Sequence, residues 1–499
     1  MGFSQITLAQ TPLTALIDPE PVETLSLQEA VLRALDSNLD ITVGRQARDV
    51  RLTDIVLQQA QFDPTVELSG QYDRNVTPLN RPIFGFGGVS AGSEPDIIDQ
   101  NDMRVRLGLN QKLYSGGILD LAFDTNRNSV AGQTGFLFNP SYTNTLSLNL
   151  TQPLLRNFGV DINKTQIRIA RNAATTEHHV FVDQVLTVIK EVEHTYWELV
   201  FTRENEKVAK ATLKAAQELF ATNRAKVRAG VMAEVEVLQA QAGVASRVEQ
   251  VLVAQKAVRD QEDQLRRLFS PSEEALRQNI VVLATDTPIQ EANTRTLRQE
   301  IDLALKQRPE VLQAQKNIET GTLNTTLAKN QLLPSLSFEG GVGLSGLGKR
   351  PHDTLDRTSS SDFYNIGGGL ILSYPLGNRS AQSQYNRRVL EANQAKALLQ
   401  RTRHQVIIDT KEAVRRVKTD FKRIRTTQTA RKLAEKQLQA EQERFQLGLS
   451  TTRVVLEFQG DVAVARGNEQ RAIVDYNQSL ANLRRVTATA LDEYHIVLQ

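Results

Sequence analysis

The 499-residue chain has no cysteine and a single tryptophan, and aromatic residues make up only 5% of it. Without thiols there can be no disulfide scaffold, no thiolate zinc site and no cysteine nucleophile. No run of about 20 apolar residues occurs, so a transmembrane helix is excluded. Transmembrane strands are not, because each needs only about 9–11 residues and leaves a weaker trace. Charge of one sign is also lacking: 59 Lys+Arg against 57 Asp+Glu leaves a net charge of +2, which argues against a dedicated polyanion binder. Met1-Gly2-Phe3-Ser4-Gln5-Ile6 has neither a positive n-region nor an apolar h-region, so no signal peptide is present in this sequence. Either the protein is cytoplasmic or a leader is missing here; Leu8-Ala9-Gln10 resembles the tail of a cleavage region.

What the chain does have is a repeat. At roughly 100–200 residues per domain its length allows about three domains, yet the sequence reads as two copies. Leu27-Gln28-Glu29-Ala30-Val31-Leu32-Arg33-Ala34-Leu35 opens a segment reaching Pro64, and Leu297-Arg298-Gln299-Glu300-Ile301-Asp302-Leu303-Ala304-Leu305 opens another reaching Pro334, an offset of 270 without a gap. Gln152-Pro153-Leu154 matches Tyr374-Pro375-Leu376 at 222, and Gly230 and Leu238 match Gly448 and Leu456 at 218. The first copy therefore holds 48 extra residues between its two Pro landmarks. A tandem duplication with one insertion is the reading.

Each copy reads as helix, strands, very long helix, turn, helix. Residues 26–62 and 297–332 are entry helices. Residues 160–228 and 378–446 lack Pro, and each makes a helix roughly 100 Å long if continuous. The return helices, 231–268 and 449–488, measure roughly 55–60 Å, so an entry and a return helix stacked end to end match one long helix. Val185, Ile189, Val192, Tyr196 and Leu199 step by coiled-coil spacing, as do Val237, Gln241, Val244, Val248, Val251, Gln255, Val258, Glu262 and Leu265. Gln241, Gln255 and Glu262 are too polar for a dry two-stranded zipper, so the expectation is helices packed sideways with their other faces in water.

Alternating apolar and polar residues predict strands over Val66–Asn75, Arg104–Leu113, Leu119–Asn126, Thr145–Leu150, Leu336–Leu344 and Tyr364–Tyr374. That gives two to four strands from the first copy and two from the second. A closed barrel needs about eight, and edges left open in lipid cost several kcal/mol per unpaired group. If these are membrane strands, several chains must pool them. Four per chain would make twelve in a trimer.

Other motifs fall away. Gly341-Val342-Gly343-Leu344-Ser345-Gly346 spells a dinucleotide fingerprint and Gly343 to Lys349 a phosphate loop, but Arg350 replaces the hydroxyl residue and no helix pattern follows. The expectation is a Gly-rich strand end and a surface loop. Glu191 and His194 have di-iron spacing, but the corresponding helix offers Arg401-Thr402-Arg403-His404. No catalytic, cofactor-binding or metal-binding set can be assembled. The basic segment Arg379 to Lys432 lacks interleaved aromatics and reads as a solvated helix face, not a nucleic-acid site.

The order of these features resembles the TolC-like outer-membrane efflux protein family. The resemblance covers about residues 25–490. It rests on the openings at Leu27 and Leu297, on Thr151-Gln152-Pro153-Leu154-Leu155-Arg156-Asn157-Phe158-Gly159 and Tyr374-Pro375-Leu376-Gly377 at the strand exits, and on the tip turns Lys226-Val227-Arg228-Ala229-Gly230 and Arg444-Phe445-Gln446-Leu447-Gly448. It implies a mainly α fold with a β-hairpin membrane portion. Duplicated long-helix coiled-coil hairpins would form a trimeric α-barrel topped by a shared transmembrane β-barrel. The division is then 1–25 N-terminal extension; 26–268 first repeat, strands at about 65–153; 269–296 connector near the middle of the tunnel; 297–488 second repeat, strands at about 335–375; and 489–499 C-terminal tail.

The implied function is a passive outer-membrane duct of a tripartite efflux or type I secretion system, not an enzyme. Its implied partners are its own copies as a homotrimer, a periplasmic adaptor (membrane fusion) protein, a proton-driven or ATP-driven inner-membrane pump and outer-membrane lipid. Its location would be the outer membrane of a diderm bacterium, with a large periplasmic part. The rivals are a stand-alone porin, which does not explain the long helices, and a coiled-coil scaffold, which does not explain the strands. The resemblance also assigns sites. Ala229, Gly230, Val231, Gly448, Leu449 and Ser450 form adaptor-docking tip turns. Glu457, Val454 and Glu236 fall at the periplasmic constriction, with one of two acidic rings replaced by Val454.

Overall fold

The computed structural model describes residues 21–79, 96–131, 135–270 and 272–498; most of the 1–25 extension, with Leu8-Ala9-Gln10, lies outside them. The chain divides into two units, one of residues 21–48, 177–314 and 399–498, the other of residues 49–176 and 315–398.

The first copy runs β1 (Val22–Leu25), α1 (Leu27–Ser37), α2 (Leu39–Ala60), β2 (Thr65–Leu79), β3 (Asp96–Lys112), β4 (Ile118–Ala131), β5 (Ser141–Pro153), α3 (Val160–Asn163), α4 (Thr165–Arg228) and α5 (Glu234–Phe269). The connector holds α6 (Glu273–Arg277) and β6 (Val281–Ala284). The second copy runs α7 (Leu297–Gln307), α8 (Pro309–Asn330), β7 (Ser335–Gly348), α9 (Pro351–Ser359), β8 (Tyr364–Ser373), α10 (Arg379–Gln446), α11 (Thr452–Thr487) and α12 (Ala490–Glu493). At 1.5 Å per residue, the 64 residues of α4 and the 68 of α10 each extend roughly 100 Å.

The duplication reaches to the level of single caps. Ser26 and Thr296, 270 residues apart, each accept the N–H three residues on, and Gln299 completes a capping box with Thr296. Each expected entry helix is in fact two, broken at Asn38 and at Arg308, again 270 apart and both extended in backbone. The causes differ. Asn38 turns its amide oxygen to the N–H groups of Asp40 and Ile41, whereas Pro309 forces the residue before it out of the helical region. The expected first long helix is also interrupted, at Lys164.

The core of the first unit gathers the α4 stripe. Val185, Ile189, Val192, Tyr196 and Leu199 are all buried, packed with Leu25, Val31, Leu265 and Val282. Each such side chain contributes about 1.5–3 kcal/mol when fully buried. In α5 the expected seam holds in part: Val251, Val258 and Leu265 are buried, but Ala240 and Ala254 are buried in place of Gln241 and Gln255, which are exposed together with Val248. Small alanines let neighbouring backbones approach, and the amides stay in water. Glu262 does lie in the seam, 2% exposed, and its charge is met by Arg203, by Arg259 at 3.1 Å and by the Val282 N–H at 3.1 Å. β1 pairs in parallel with β6. Two strands alone are marginal, and Tyr196 ties them down: its hydroxyl donates to Asp286 at 2.6 Å and accepts from the Thr285 N–H at 3.1 Å.

The other unit holds one antiparallel sheet of six strands in the order β2-β3-β4-β5-β7-β8. All six expected strands are present, four from the first copy and two from the second, at the upper end of the expected range; β5 pairs directly with β7 and joins both copies in one sheet. The alternation is in register across it. Val66, Leu109, Leu121, Leu148, Val342 and Ile366 are successive partners on one face, and Leu68, Leu107, Phe123, Leu146, Leu344 and Tyr364 form the next row. The opposite face carries Glu67, Arg106, Asp124, Ser147 and Asn149. The expected loop after Gly348 winds instead into α9. Pro351 starts it, and it packs on β7 so closely that a Cβ at Gly346 would meet the Thr354 carbonyl at 2.3 Å. The helix itself fills the space a phosphate would need, and the fingerprint glycines lie within β7.

Asp420 of α10 is buried, and one of its carboxylate oxygens has no partner. Burial, reinforced by the nearby Asp475, raises its pKa against the pull of Arg423 and Arg416. The folded chain thus holds this proton more tightly than the unfolded one. The resulting stability is full below the ordinary Asp range and is lost as pH rises through the folded-state pKa. Asp420→Asn should therefore raise the unfolding temperature near neutral pH and above, with the gain vanishing in acid below the carboxylate range. Thermal unfolding of the detergent-solubilised protein across pH checks the sign.

Candidate functional site

The two tip turns are built alike. At the end of α4 the Gly230 N–H bonds the Val227 carbonyl at 2.9 Å and the Val231 N–H the Lys226 carbonyl at 3.0 Å. At the end of α10 the Gly448 N–H bonds Phe445 at 3.2 Å and the Leu449 N–H bonds Arg444 at 2.9 Å. Both are Schellman motifs, and both need a left-handed residue that only glycine adopts cheaply; φ is +74° at Gly230 and +77° at Gly448.

Near the tips the two hairpins meet through a few side chains. Leu219, Phe445 and Val455 form a small buried cluster with Met232 and Leu456, and the Lys226 ammonium sits 4.6 Å from the Phe445 ring centre. Asn223, fully buried, donates to the Thr452 hydroxyl at 2.7 Å and to the Glu236 carbonyl at 3.2 Å. Glu441 accepts from Ser450 and pairs with Arg444 at 3.1 Å.

The expected constriction residues fare differently. Glu236 is half-buried, and its carboxylate accepts the Thr452 N–H at 2.9 Å. Thr451 makes no side-chain cap at the start of α11, so Glu236 supplies the missing acceptor, where the helix dipole favours a negative charge by about 0.3–1 kcal/mol. Val454 is half-buried. Glu457 is exposed and makes no ion pair among the described residues. Of the docking residues, Ala229, Gly230, Val231, Gly448 and Leu449 are exposed and Ser450 is held by Glu441. Their apolar side chains and that of the neighbouring Leu447 stand exposed: Val231 is 74%, Leu447 75% and Leu449 65% accessible.

Asn223, Glu441 and Thr452 were missed in the sequence. The one signal was a polar residue at a buried helical position, visible only once the register is known.

Several solved outer-membrane channels share this fold. The Campylobacter jejuni CmeC outer membrane channel matches with a TM-score of 0.64 at 18% identity, over 94% of this chain and 89% of that one. The outer membrane protein VceC from Vibrio cholerae matches at 0.64 and 17%, over 92% and 95%. Nodulation protein T of Rhizobium leguminosarum bv. trifolii is 23% identical over 225 residues, 44% of this chain and 46% of that protein, so less than half of that relative's length is matched. The fold is thus that of an outer-membrane channel. Residues 30–269 and 301–489 match the family model, and the chain belongs to the outer membrane efflux protein family.

Asn223→Ala would leave the Thr452 hydroxyl without its buried donor and loosen the join between hairpins by about 1–2 kcal/mol. Tryptic cleavage at Lys226 and Arg228 is expected to speed up about tenfold, if opening precedes cutting. An unchanged rate would show that the apolar cluster alone holds the tips.

Proposed function

We propose that the chain is the outer-membrane duct of a tripartite efflux or type I secretion system. It works as a homotrimer in the outer membrane of a diderm bacterium, with a large periplasmic part. Cargo passes through it passively, and the energy comes from a proton-driven or ATP-driven inner-membrane pump joined through a periplasmic adaptor. The observation that carries this reading is one chain combining a sheet whose exposed face holds two continuous apolar rows across all six strands with two strand exits that each feed a helix of 64 or 68 residues. A soluble scaffold has no use for the first, nor a simple porin for the second.

The adaptor docks on the tip turns. Their apolar side chains, exposed in the single chain, offer area that a partner's helical ends can bury. Ala229→Trp and Leu449→Trp should abolish adaptor crosslinking while trimers persist; crosslinking at the native level would remove the tips from the docking surface.

Glu457 lines the periplasmic mouth, with Val454 as an apolar collar beside it. Glu236 takes the place of Val454 in the other copy, its carboxylate committed to α11. Three Glu457 carboxylates brought close around a narrow opening repel one another and attract cations. In planar bilayers Glu457→Gln is expected to reduce cation selectivity and weaken block by multivalent cations. Neither property changing would take Glu457 out of the gate.

A further inference from the structure

The duplication sets an expectation that the sheet breaks. β2 follows Pro64 as β7 follows Pro334, and β5 leads to Pro153 as β8 leads to Pro375. Those are the counterparts, two strands in each copy. β3 and β4 have none: they occupy the 48 residues by which the first copy is longer.

The added hairpin keeps the two-faced pattern of its neighbours. Leu107 of β3 stands between Leu68 and Phe123, in the row that continues through Leu146 to Leu344. Met103 and Leu107 are half exposed, 50% and 49%, close to the 46% of Val342 on β7. Among the described residues, α9 is the helix that packs along this sheet, and it covers the apolar face at the end of β7, over Gly346 and Gly348. On the opposite face Arg106 pairs with Asp120 and Asp124 at 3.4 and 3.5 Å.

Both outer strands are open. β2 and β8 are the edges of the sheet, and every residue of β8 is exposed. β8 carries no charge and no proline, the devices that normally protect an edge. Its unpaired N–H and C=O groups would each cost several kcal/mol in hydrocarbon. With six antiparallel strands, β2 and β8 run in opposite directions. β8 of one copy can therefore lie antiparallel to β2 of the next, and the apolar face continues across the seam from Ile366 to Val66 and Leu68.

We infer that all six strands, the β3–β4 hairpin included, form lipid-facing wall, and that β8 pairs with β2 of a neighbouring copy. This rests on the trimeric outer-membrane reading above. Six strands from each of three copies close an eighteen-stranded barrel, where the two-plus-two plan of the duplication would close twelve. Barrel diameter grows roughly linearly with strand number, so the opening is about 1.5 times as wide, in the range of barrels that leave an aqueous channel. The Arg106–Asp120–Asp124 cluster then faces the lumen once per copy.

The test uses the full chain in vesicles of brominated phosphatidylcholine, against unbrominated vesicles. Trp197, the only native tryptophan, is buried in the other unit and supplies the baseline. Leu107→Trp on β3, Phe123→Trp on β4 and Val342→Trp on β7 should each lose most of their added emission, and Asp124→Trp on the polar face should keep it. Quenching of Val342→Trp without the β3 and β4 variants would put the hairpin outside the wall and overturn the inference, leaving the channel reading intact. No quenching at any position would sink both. Electron cryomicroscopy of the unsubstituted protein in lipid nanodiscs guards against misfolded variants: eighteen strands are expected, and twelve would refute the proposal.

Discussion

A long helix must bury its apolar stripe along its whole length, and here two shorter helices do so end to end. That arrangement depends on closing the helix ends where they meet. The last carbonyls of a helix have no partner within it, and α5 ends inside the core. Ser37 donates its hydroxyl to the Phe269 carbonyl at 2.7 Å, and Asn38 its amide to the Leu268 carbonyl at 2.9 Å. The break between α1 and α2 is therefore not a flaw in an entry helix. It places Ser37 and Asn38 where the return helix needs donors. Without the break, two carbonyls would stay buried and unpaired at about 1–3 kcal/mol each.

Much of this was legible because it is periodic or repeated. The α4 stripe from Val185 to Leu199 follows from its spacing, and the tip glycines from their matched places in both copies. The break at Asn38 was not legible, because its cause lies in Leu268 and Phe269, some 230 residues away. The α5 seam was legible at Val251, Val258, Glu262 and Leu265 and missed elsewhere for a related reason: alanines carry little hydrophobic signal, so the line ran through Gln241 and Gln255, one residue off the buried Ala240 and Ala254. At the candidate site the turns were readable and the Asn223–Thr452 join was not, since no local pattern marks a bond spanning 229 residues. α9 escaped because its stability comes from packing on Gly346, not from its own short, polar sequence.

The near-zero net charge conceals a specific distribution. Basic residues of α10 are answered by acids on its own turns and on α11, as Arg423 meets Asp475 at 2.8 Å and Arg431 meets Glu435 at 2.8 Å and Glu469. Deeper in the unit, Glu193 is fully buried between Arg484 at 3.1 Å and Tyr494 at 2.5 Å. Burial raises the Glu193 pKa, and the partners oppose it. Such pairs add little net stability over apolar packing but penalise any other register strongly. In a set of long, similar helices that could slide past one another, a penalty on slipped registers keeps the packing unique.

The same contrast explains why the two copies match in their helices and differ in their strands. Adding one residue to α4 would rotate everything after it by about 100° around the axis, turning Val185, Ile189 and Val192 away from the core together. Pairing between α4, α5 and their counterparts leaves no place for such a change except at the tips. A sheet imposes a different rule. A complete hairpin can enter between β2 and β5 without moving any residue to the wrong face, provided it brings two strands and keeps the period of two. One strand alone would set neighbours parallel and leave the chain on the wrong side. The 48-residue insertion obeys this rule: β3 and β4 arrive as a pair, joined by a short turn at Gly116 and Gly117, with Leu107 and Phe123 in the existing apolar row. Length can change in the sheet because hairpins are added whole, and it is fixed in the helices because their register is continuous.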